Sequence, residues 1–465
     1  MNTEQLVLSQ NTVYSTMSNT DTELYILHIN HNLDDIFRFN QILSTFAKIY
    51  FICIPYGNTV VPNKYIQGNN ITIYHMRSLC NQRMICRNSS TVTNSTMSFA
   101  TDVEKMIEFA IGDILLYAGD NSKIIIIEDG GYHYEIMRKI ESRIKGKIMV
   151  LGCIEQTRAG LRRCMSYLYD NNKLSYPVLS VARSLVKTRI ESYYIARRTV
   201  EIINEMLYEL QMDLSFRDVT ILGYGILGRN VAKVLSGFKC NSISVIESDE
   251  FVGSFVETDG YTLLSSSLLA FSHDRIIIGT TGRSAFSIEM LRTFIVSSSQ
   301  NLILASVSSR RDEFADVLNY FSEVHNDVTY DVSSIDNVGT VYSINCPHGD
   351  KSIVLLADGY PVNFYINNKR SLTDEMIDIV YTEIILLINV LCNRYNELTN
   401  SIHLLGADEC LDTIINESAI AKEWIEKKNS EFLCTGNVWE LFDCHPAEIY
   451  LRKKTLERDE IADND

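Results

Sequence analysis

VTILGYGILGRNVAKVL, from Val219 to Leu235, sets an apolar β-branched run against a glycine-spaced turn and then a helical pattern. Strand, turn and helix in that order are the context in which the spacing G-x-G-x-x-G carries meaning. Gly223 permits the tight turn, Gly225 lets a pyrophosphate approach the backbone, and Gly228 lets the helix pack closely on the strand. Ile226 and Leu227 open the helix, whose free N–H groups and positive dipole end suit phosphate oxygens. Glu247 follows Gly228 by 19 residues at the end of the next apolar run, where a carboxylate can accept both hydroxyls of an adenosine ribose. A carboxylate there repels a 2′-phosphate, so the pattern predicts NAD rather than NADP, although Lys239 and Arg229 soften that exclusion. The alternative for the glycines alone is an ordinary turn; strand, helix and acid together argue against it.

Working outward, short β-branched runs alternate with longer helical patterns on both sides of this segment, the signature of parallel βαβ layers. Before it stand YILHIN from Tyr25, KIYFICI from Lys48, ITIYHM from Ile71, KIIIIED from Lys123 and KIMVLG from Lys147. After it come SISVIESD from Ser242, RIIIGTT from Arg275, NLILASV from Asn301 and SIVLLADG from Ser352. The spacing predicts an α/β protein of two doubly wound Rossmann-like domains, joined by one long helix, TRIESYYIARRTVEIINEMLYEL from Thr188. The predicted boundaries are a substrate-binding domain over 1–191, an NAD-binding domain over 192–364, a return helix over 365–403 and a mostly helical C-terminal tail over 404–465. The return helix, from Met376, is apolar over much of its circumference and should be buried against the first domain. Hinges are expected near Ser192 and Asn363, a polar loop at NSSTVTNSTMS from Asn88, and a frayed end at ERDEIADND.

Of the 465 residues, 46% are apolar and 22% charged, the balance of a globular protein too long for one core. A formal net charge of −16 argues against a nucleic-acid partner, which needs clustered Lys and Arg. The pairs Arg162-Arg163 and Arg197-Arg198 are expected on solvated helix faces. The opening MNTEQLVLSQNTVYSTMSNTDTE lacks the basic start and apolar run of a signal peptide. No apolar stretch reaches the roughly 20 residues of a membrane span. These features predict a cytoplasmic protein with a small-molecule substrate, no nucleic acid and no membrane. Eleven cysteines form no CxxC pair and nine histidines no HExxH spacing, so neither a disulfide framework nor a metal is expected. Cys53, Cys153 and Cys240 sit in or beside strand-like runs as small apolar residues.

The order of several further strings resembles S-adenosylhomocysteine hydrolases from about Tyr25 to about Val390. They are LHINHN near His28, IIEDGG ending at Gly131, GCIEQTRAG from Gly152, PVLSVARSLVKTRIESYY from Pro177, GYGILGRNVA from Gly223, GTTG ending at Gly282 and IVLLADGYPVNFY from Ile353. The resemblance implies a bound NAD that oxidises the 3′-hydroxyl of a nucleoside-like substrate, so that the neighbouring carbon becomes acidic and the 5′ substituent can leave. It implies that Lys187, with Glu191 four residues on, manages the hydroxyl proton, and that His28 and Asp129 serve the 5′ side. It implies cofactor contacts at Thr157, Thr280, Thr281 and Asn363, and a homodimer or homotetramer. The plainer alternatives are a helix-face ion pair for Lys187 and Glu191, a helix cap for Asp129, and a satisfied buried histidine for His28 or His31.

The pattern also breaks. Gln156 stands where the family has the second of two paired glutamates, and Ala182 followed by Arg183 replaces an active-site asparagine and its neighbour. VSSRRDEF from Val307 replaces a histidine-bearing gate, FYINNKRS replaces a further family segment, and the C-terminal Lys and Tyr that one family subunit lends another are absent. Arg158, Arg183 and Arg310 either meet a carboxylate or phosphate of the substrate or face water. The expectation is an NAD-dependent enzyme with a changed nucleoside-like substrate; the alternatives are a non-catalytic NAD-binding or regulatory protein and the parent hydrolysis itself.

Overall fold

The computed structural model describes residues 6–16, 23–31, 33–54, 70–75, 99–119, 121–265, 271–308, 312–322, 329–346, 349–365, 372–429, 435–442 and 444–453. Its strands are β1 Leu24–His31, β2 Lys48–Ile54, β3 Ile71–His75, β4 Lys123–Glu128, β5 Met149–Glu155, β6 Val178–Ser180, β7 Asp218–Leu222, β8 Ser242–Ile246, β9 Thr262–Leu263, β10 Arg275–Gly279, β11 Asn301–Ser306, β12 Thr329–Ile335, β13 Gly339–Asn345, β14 Lys351–Leu356 and β15 Ile402–Leu404. Its α-helices are α1 Val7–Thr16, α2 Asp34–Leu43, α3 Phe99–Tyr117, α4 Tyr134–Ile144, α5 Arg158–Asn171, α6 Ser192–Glu209, α7 Ile226–Leu235, α8 Glu250–Thr258, α9 Ile288–Val296, α10 Ala315–Tyr320, α11 Asp374–Arg394, α12 Glu409–Ile414, α13 Glu417–Lys428 and α14 Pro446–Lys453. Among the described residues no helix is long and apolar enough to cross a membrane. The segment from Asn88 and the end ERDEIADND lie outside the described residues.

These residues divide into two units. The first comprises those up to Glu191, from Thr373 to Cys444 and from Arg452 onward. Its seven strands are parallel in the order β15-β6-β5-β4-β1-β2-β3. Successive residues of a strand point to opposite faces, and here both faces are covered, so β1 and β4 are apolar nearly throughout. Tyr25, Leu27, Ile29, Ile124 and Ile126 meet Val103, Ile107 and Ile111 of α3 and Ile136, Met137 and Ile140 of α4. Each such side chain taken from water contributes roughly 1.5–3 kcal/mol. α11 is buried around most of its circumference, and a Cβ on Gly152 of β5 would lie 2.7 Å from Leu391 of that helix. Glycine in β5 is what lets α11 approach.

The second unit comprises Ser192–Leu372 and His445–Leu451. Its sheet runs β12-β13-β14-β11-β10-β7-β8-β9, parallel from β14 to β9, with the β12–β13 hairpin antiparallel at the edge. Both units are thus doubly wound, with the strand order reversing between β1 and β4 in one and between β7 and β10 in the other.

The strands that pattern reading does not find are the three-residue β6 and β15 and the β12–β13 hairpin. β6 and β15 are too short for a period, and β12 exposes nearly every residue. The single helix expected from Thr188 is in fact a π-helical turn, Val186–Glu191, followed by α6. Arg163 is not on a solvated face: it donates to Gly130 O and lies over the Tyr132 ring at 4.7 Å. Arg197 and Arg198 do lie on one, paired with Glu201 and Glu205. Cys53 and Cys153 are buried and Cys240 is half-buried.

Gly228 and Gly225 differ in what they tolerate. A Cβ on Gly228 would fall inside van der Waals contact of Gly223 O and lie 2.7 Å from Thr280 Oγ1, whereas one on Gly225 meets nothing within 4 Å. Gly228→Ala should therefore destabilise the second unit by about 1–3 kcal/mol. Gly225→Ser, which adds a good N-cap at a φ of −62°, should leave stability unchanged or raise it slightly, as urea unfolding would report.

Candidate functional site

Parallel sheets place ligands outside the carboxyl ends of their strands where the strand order reverses. In the second unit that place is the turn from β7 into α7. Gly223 takes a φ of 92°, open to glycine, and its N–H donates to Ile246 O at 2.8 Å. Gly225 caps α7 without a side-chain bond, so the first-turn amides of Ile226, Leu227 and Gly228 have no cap of their own. The Glu247 carboxylate accepts from the N–H groups of Tyr224 at 2.6 Å, Ser248 at 2.7 Å and Asp249 at 2.8 Å. An ionised carboxylate offers about four acceptor sites. Glu247 as arranged therefore has room for one ribose hydroxyl, and a grip on both requires one amide to let go.

Thr280 and Thr281 brace this turn. Thr280 Oγ1 donates to Leu222 O at 2.9 Å, and Thr281 Oγ1 lies 3.0 Å from Glu313 Oε2. Glu313, which sequence reasoning missed, also accepts Gly282 N–H at 2.6 Å, and burial raises its pKa to about 7. Asn363 is buried in the turn Val362–Phe364 of the same unit. The set fits a dinucleotide: open space above Gly225, uncapped first-turn amides and an acid at the end of the adjoining strand.

In the first unit the reversal lies between β1 and β4, and the residues there are His31 and Asp129. His31 Nε2 stands 3.4 Å from Asp129 Oδ2. Burial alone would raise the Asp129 pKa, but His31, with Lys187 and His28 beyond it, outweighs burial and holds the carboxyl below its ordinary range. Asp129 does not cap the following helix, since the residue at the start of α4 is His133. Lys187 Nζ donates to Glu191 Oε1 at 2.7 Å and lies 2.6 Å from Oε2, with both side chains largely buried. His28 sits deeper. Its Nδ1 is 2.6 Å from Asn40 Oδ1 and its Nε2 is 3.2 Å from Asn30 Nδ2, which fixes a neutral ring that donates to one amide and accepts from the other. It is the buried histidine with both nitrogens satisfied, and His31 is the one that meets Asp129.

The turn that carries Lys187 is held from beneath by residues with no sequence signal. Glu417 accepts from Leu185 N–H at 2.5 Å and Val186 N–H at 3.2 Å, Ser184 Oγ accepts Lys187 N–H at 3.1 Å, and that hydroxyl donates to Glu383 at 2.9 Å. Burial holds Glu383 well above the ordinary carboxyl range, and it shares a hydrogen bond with Glu417. Gln156 is buried at the end of β5, with its side-chain Nε2 lacking a partner among the described residues. Thr157 caps α5 through Gly160 N–H and donates to Glu155 at 2.8 Å, a local role. Arg183 neither faces water nor reaches into the reversal point, because it is buried and donates to Arg452 O at 3.0 Å. Arg310 lies outside the described residues. Although no metal-binding spacing occurs in the sequence, Glu128, His133 and Cys153 bring ligand-type atoms within 4.8 Å of one another in the interior. Glu128 there already accepts from Tyr132 N–H and pairs with His133 Nδ1.

No protein-family model matches the chain. It is 23% identical over 259 residues to S-inosyl-L-homocysteine hydrolase of Methanopyrus kandleri, covering 56% of this chain and 57% of that protein. It is 21% identical over 318 residues to adenosylhomocysteinase of Thermoplasma acidophilum, covering 68% and 72%. It matches an uncharacterized protein of Mycobacterium tuberculosis at 25% over 272 residues, covering 57% and 46%. The chain thus spans about half the length of the first and third of these relatives. Among solved structures, the A chain of dipicolinate synthase from Bacillus subtilis is 10% identical with a TM-score of 0.35, covering 81% of this chain and 99% of that one. The chain is distantly related to adenosylhomocysteinase-type proteins.

His28 supplies a test of this interior. Burial lowers its pKa from 6.5 to about 4, so the unfolded chain binds the extra proton first and stability falls as pH drops through that window. The shift corresponds to roughly 3 kcal/mol at about 1.4 kcal/mol per pH unit. Urea unfolding of the first unit at pH 7 and pH 4 should show wild type losing about that much more than His28→Gln; equal losses would mean the ring is not held neutral.

Proposed function

We propose that the chain is an NAD-dependent enzyme that oxidises a hydroxyl of a nucleoside-like small molecule. The observation that carries this reading is the glycine turn of the second unit, with open space above Gly225 and Glu247 at the end of the adjoining strand. The amides of Ile226, Leu227 and Gly228 would hold the pyrophosphate and Glu247 a ribose hydroxyl, with Thr280, Thr281 and Asn363 supporting the cofactor's surroundings. NAD, when bound, supplies the hydride acceptor.

The first unit would hold the hydroxyl-bearing substrate. Lys187 donates to Glu191, so a hydroxyl beside Nζ would meet a cation that favours its loss of a proton and a carboxylate that can receive it. Asp129 remains ionised beside His31 and suits a second polar contact or proton transfer. The Gln156 amide lacks a partner where the resembled family has a carboxylate, and so favours a substrate that offers an acceptor there. His28, locked between two asparagines, is poorly placed for acid–base work at the 5′ side. Oxidation with a changed outcome therefore fits better than the parent hydrolysis. The names of the two hydrolase relatives support a substrate of nucleoside character. We further propose a cytoplasmic homo-oligomer, in keeping with the family resemblance.

A second reading, a non-catalytic NAD-binding protein, is favoured by the substitutions at Gln156 and Ala182. Offering adenosine, S-adenosylhomocysteine and S-inosylhomocysteine to the NAD-loaded protein, and recording the reduced nicotinamide band, separates the two. Reduction in wild type that falls about 10²–10⁴-fold in Lys187→Ala, with NAD affinity retained, is the expected result. NAD binding without reduction by any of the three favours the second reading, and reduction undiminished in Lys187→Ala removes the proposed role of that lysine. Gly225→Ser should weaken NAD binding at least tenfold while leaving stability intact; unchanged affinity would move the dinucleotide elsewhere.

A further inference from the structure

The second unit is not completed by Ser192–Leu372, because the chain returns to it at His445–Leu451. The returning segment meets α8, the helix that starts just after Glu247. At the C-terminal end of α8, His445 Nε2 lies 3.0 Å from Asp259 Oδ1. His445 Nδ1 accepts from Ala447 N–H at 3.1 Å, so the ring hydrogen is on Nε2 and is donated to Asp259. The other Asp259 oxygen accepts the buried phenol of Tyr224 at 2.6 Å. Tyr224 is the residue between Gly223 and Gly225, and its N–H is the 2.6 Å donor to Glu247.

At the N-terminal end of the helix, Tyr450 OH donates to Asp249 Oδ2 at 3.2 Å. Asp249 caps α8 by accepting Val252 N–H at 3.0 Å, and its own N–H donates to Glu247 at 2.8 Å. Ring contacts run alongside both bonds, Phe255 with His445 at 5.0 Å and Phe251 with Tyr450 at 4.6 Å. The segment therefore grips α8 at each end, and each grip passes through one aspartate to an amide that orients the Glu247 carboxylate.

We infer that residues 445–451 form a clasp that sets the dinucleotide affinity of the second unit, with His445 and Tyr450 as positioning residues for Glu247. The inference rests on the reading that Glu247 takes a ribose hydroxyl. Three of the Glu247 acceptor sites are filled by amides, and two of those amides, from Tyr224 and Asp249, are the ones the clasp controls. A carboxylate with so little capacity to spare is sensitive to the placement of the donors that occupy it. With the clasp released, Tyr224 loses the partner of its partner, and the carboxylate loses its fixed direction.

The test uses the full chain and two measurements, NAD⁺ affinity by calorimetry and amide hydrogen exchange without NAD⁺. His445→Ala should weaken NAD⁺ binding about tenfold, the size expected for loosening a charged hydrogen-bond chain, and should speed exchange over 222–228 and 247–250. His445→Gln, which can still donate to Asp259, should restore both. Tyr450→Phe keeps the ring contact and loses only the hydroxyl bond, so it should loosen 247–250 alone. In a double-mutant cycle His445→Ala should add little to Tyr224→Phe, because both cut one chain of bonds. Unchanged affinity and unchanged exchange at 222–228 in His445→Ala, or additive effects of the two substitutions, would overturn the clasp even if overall stability fell. Absence of NAD⁺ binding by wild type would overturn the cofactor reading instead, and the exchange comparison would then decide the clasp without it.

Discussion

A parallel sheet covered on both faces has nowhere along its strands to keep an unpaired charge, and that constraint arranges both units of this protein. Leu24 to His31 and Lys123 to Glu128 are buried almost throughout, so their side chains are apolar until the carboxyl ends are reached. There the polar residues gather: His31, Asp129 and Gln156 in one unit, Glu247, Thr280 and Thr281 in the other. The chemistry of the molecule is confined to these edges because burial excludes it elsewhere. His28 shows the cost of an exception, since one imidazole inside the sheet needs two asparagines to satisfy it and gives up its charge.

The same constraint explains what could be read directly from the chain. Strands buried on two faces are continuous β-branched runs, and ten such runs, together with the glycine turn and Glu247, are visible as words in the sequence. The β12–β13 hairpin and the short β6 and β15 leave no such trace, because their pairing comes from neighbours already in place. The ion pair of Lys187 and Glu191 is legible because four residues of helix separate the partners. His31 and Asp129 are nearly a hundred residues apart, and only the parallel register of β1 and β4 decides that His31, not His28, stands at the edge beside the aspartate.

Least legible are the acids that hold other residues in place. Glu313 sits under the Thr281–Gly282 turn, Glu417 beneath the Lys187 turn, and Glu383 beside Glu417. Each is an ordinary helix residue by pattern, and each is unusual only through burial supplied by a distant part of the chain. Their carboxyls serve backbone amides and hydroxyls. A sequence motif records the residue that faces a ligand, but the residue that steadies it from behind can come from any element long enough to reach.

The π-helical turn at Val186–Glu191 has a consequence of its own. A π turn accommodates one residue more than the α-helix it interrupts. Removing one residue there would let α-helix run straight through and rotate everything after it by about 100°, the angular step of one residue. The buried stripe of α6, Ala196, Val200, Ile203 and Leu207, would then lose its phase with the face that bears Lys187. Insertions and deletions are therefore far more hazardous in this short turn than substitutions, and among descendants of this chain its length should vary less than its letters.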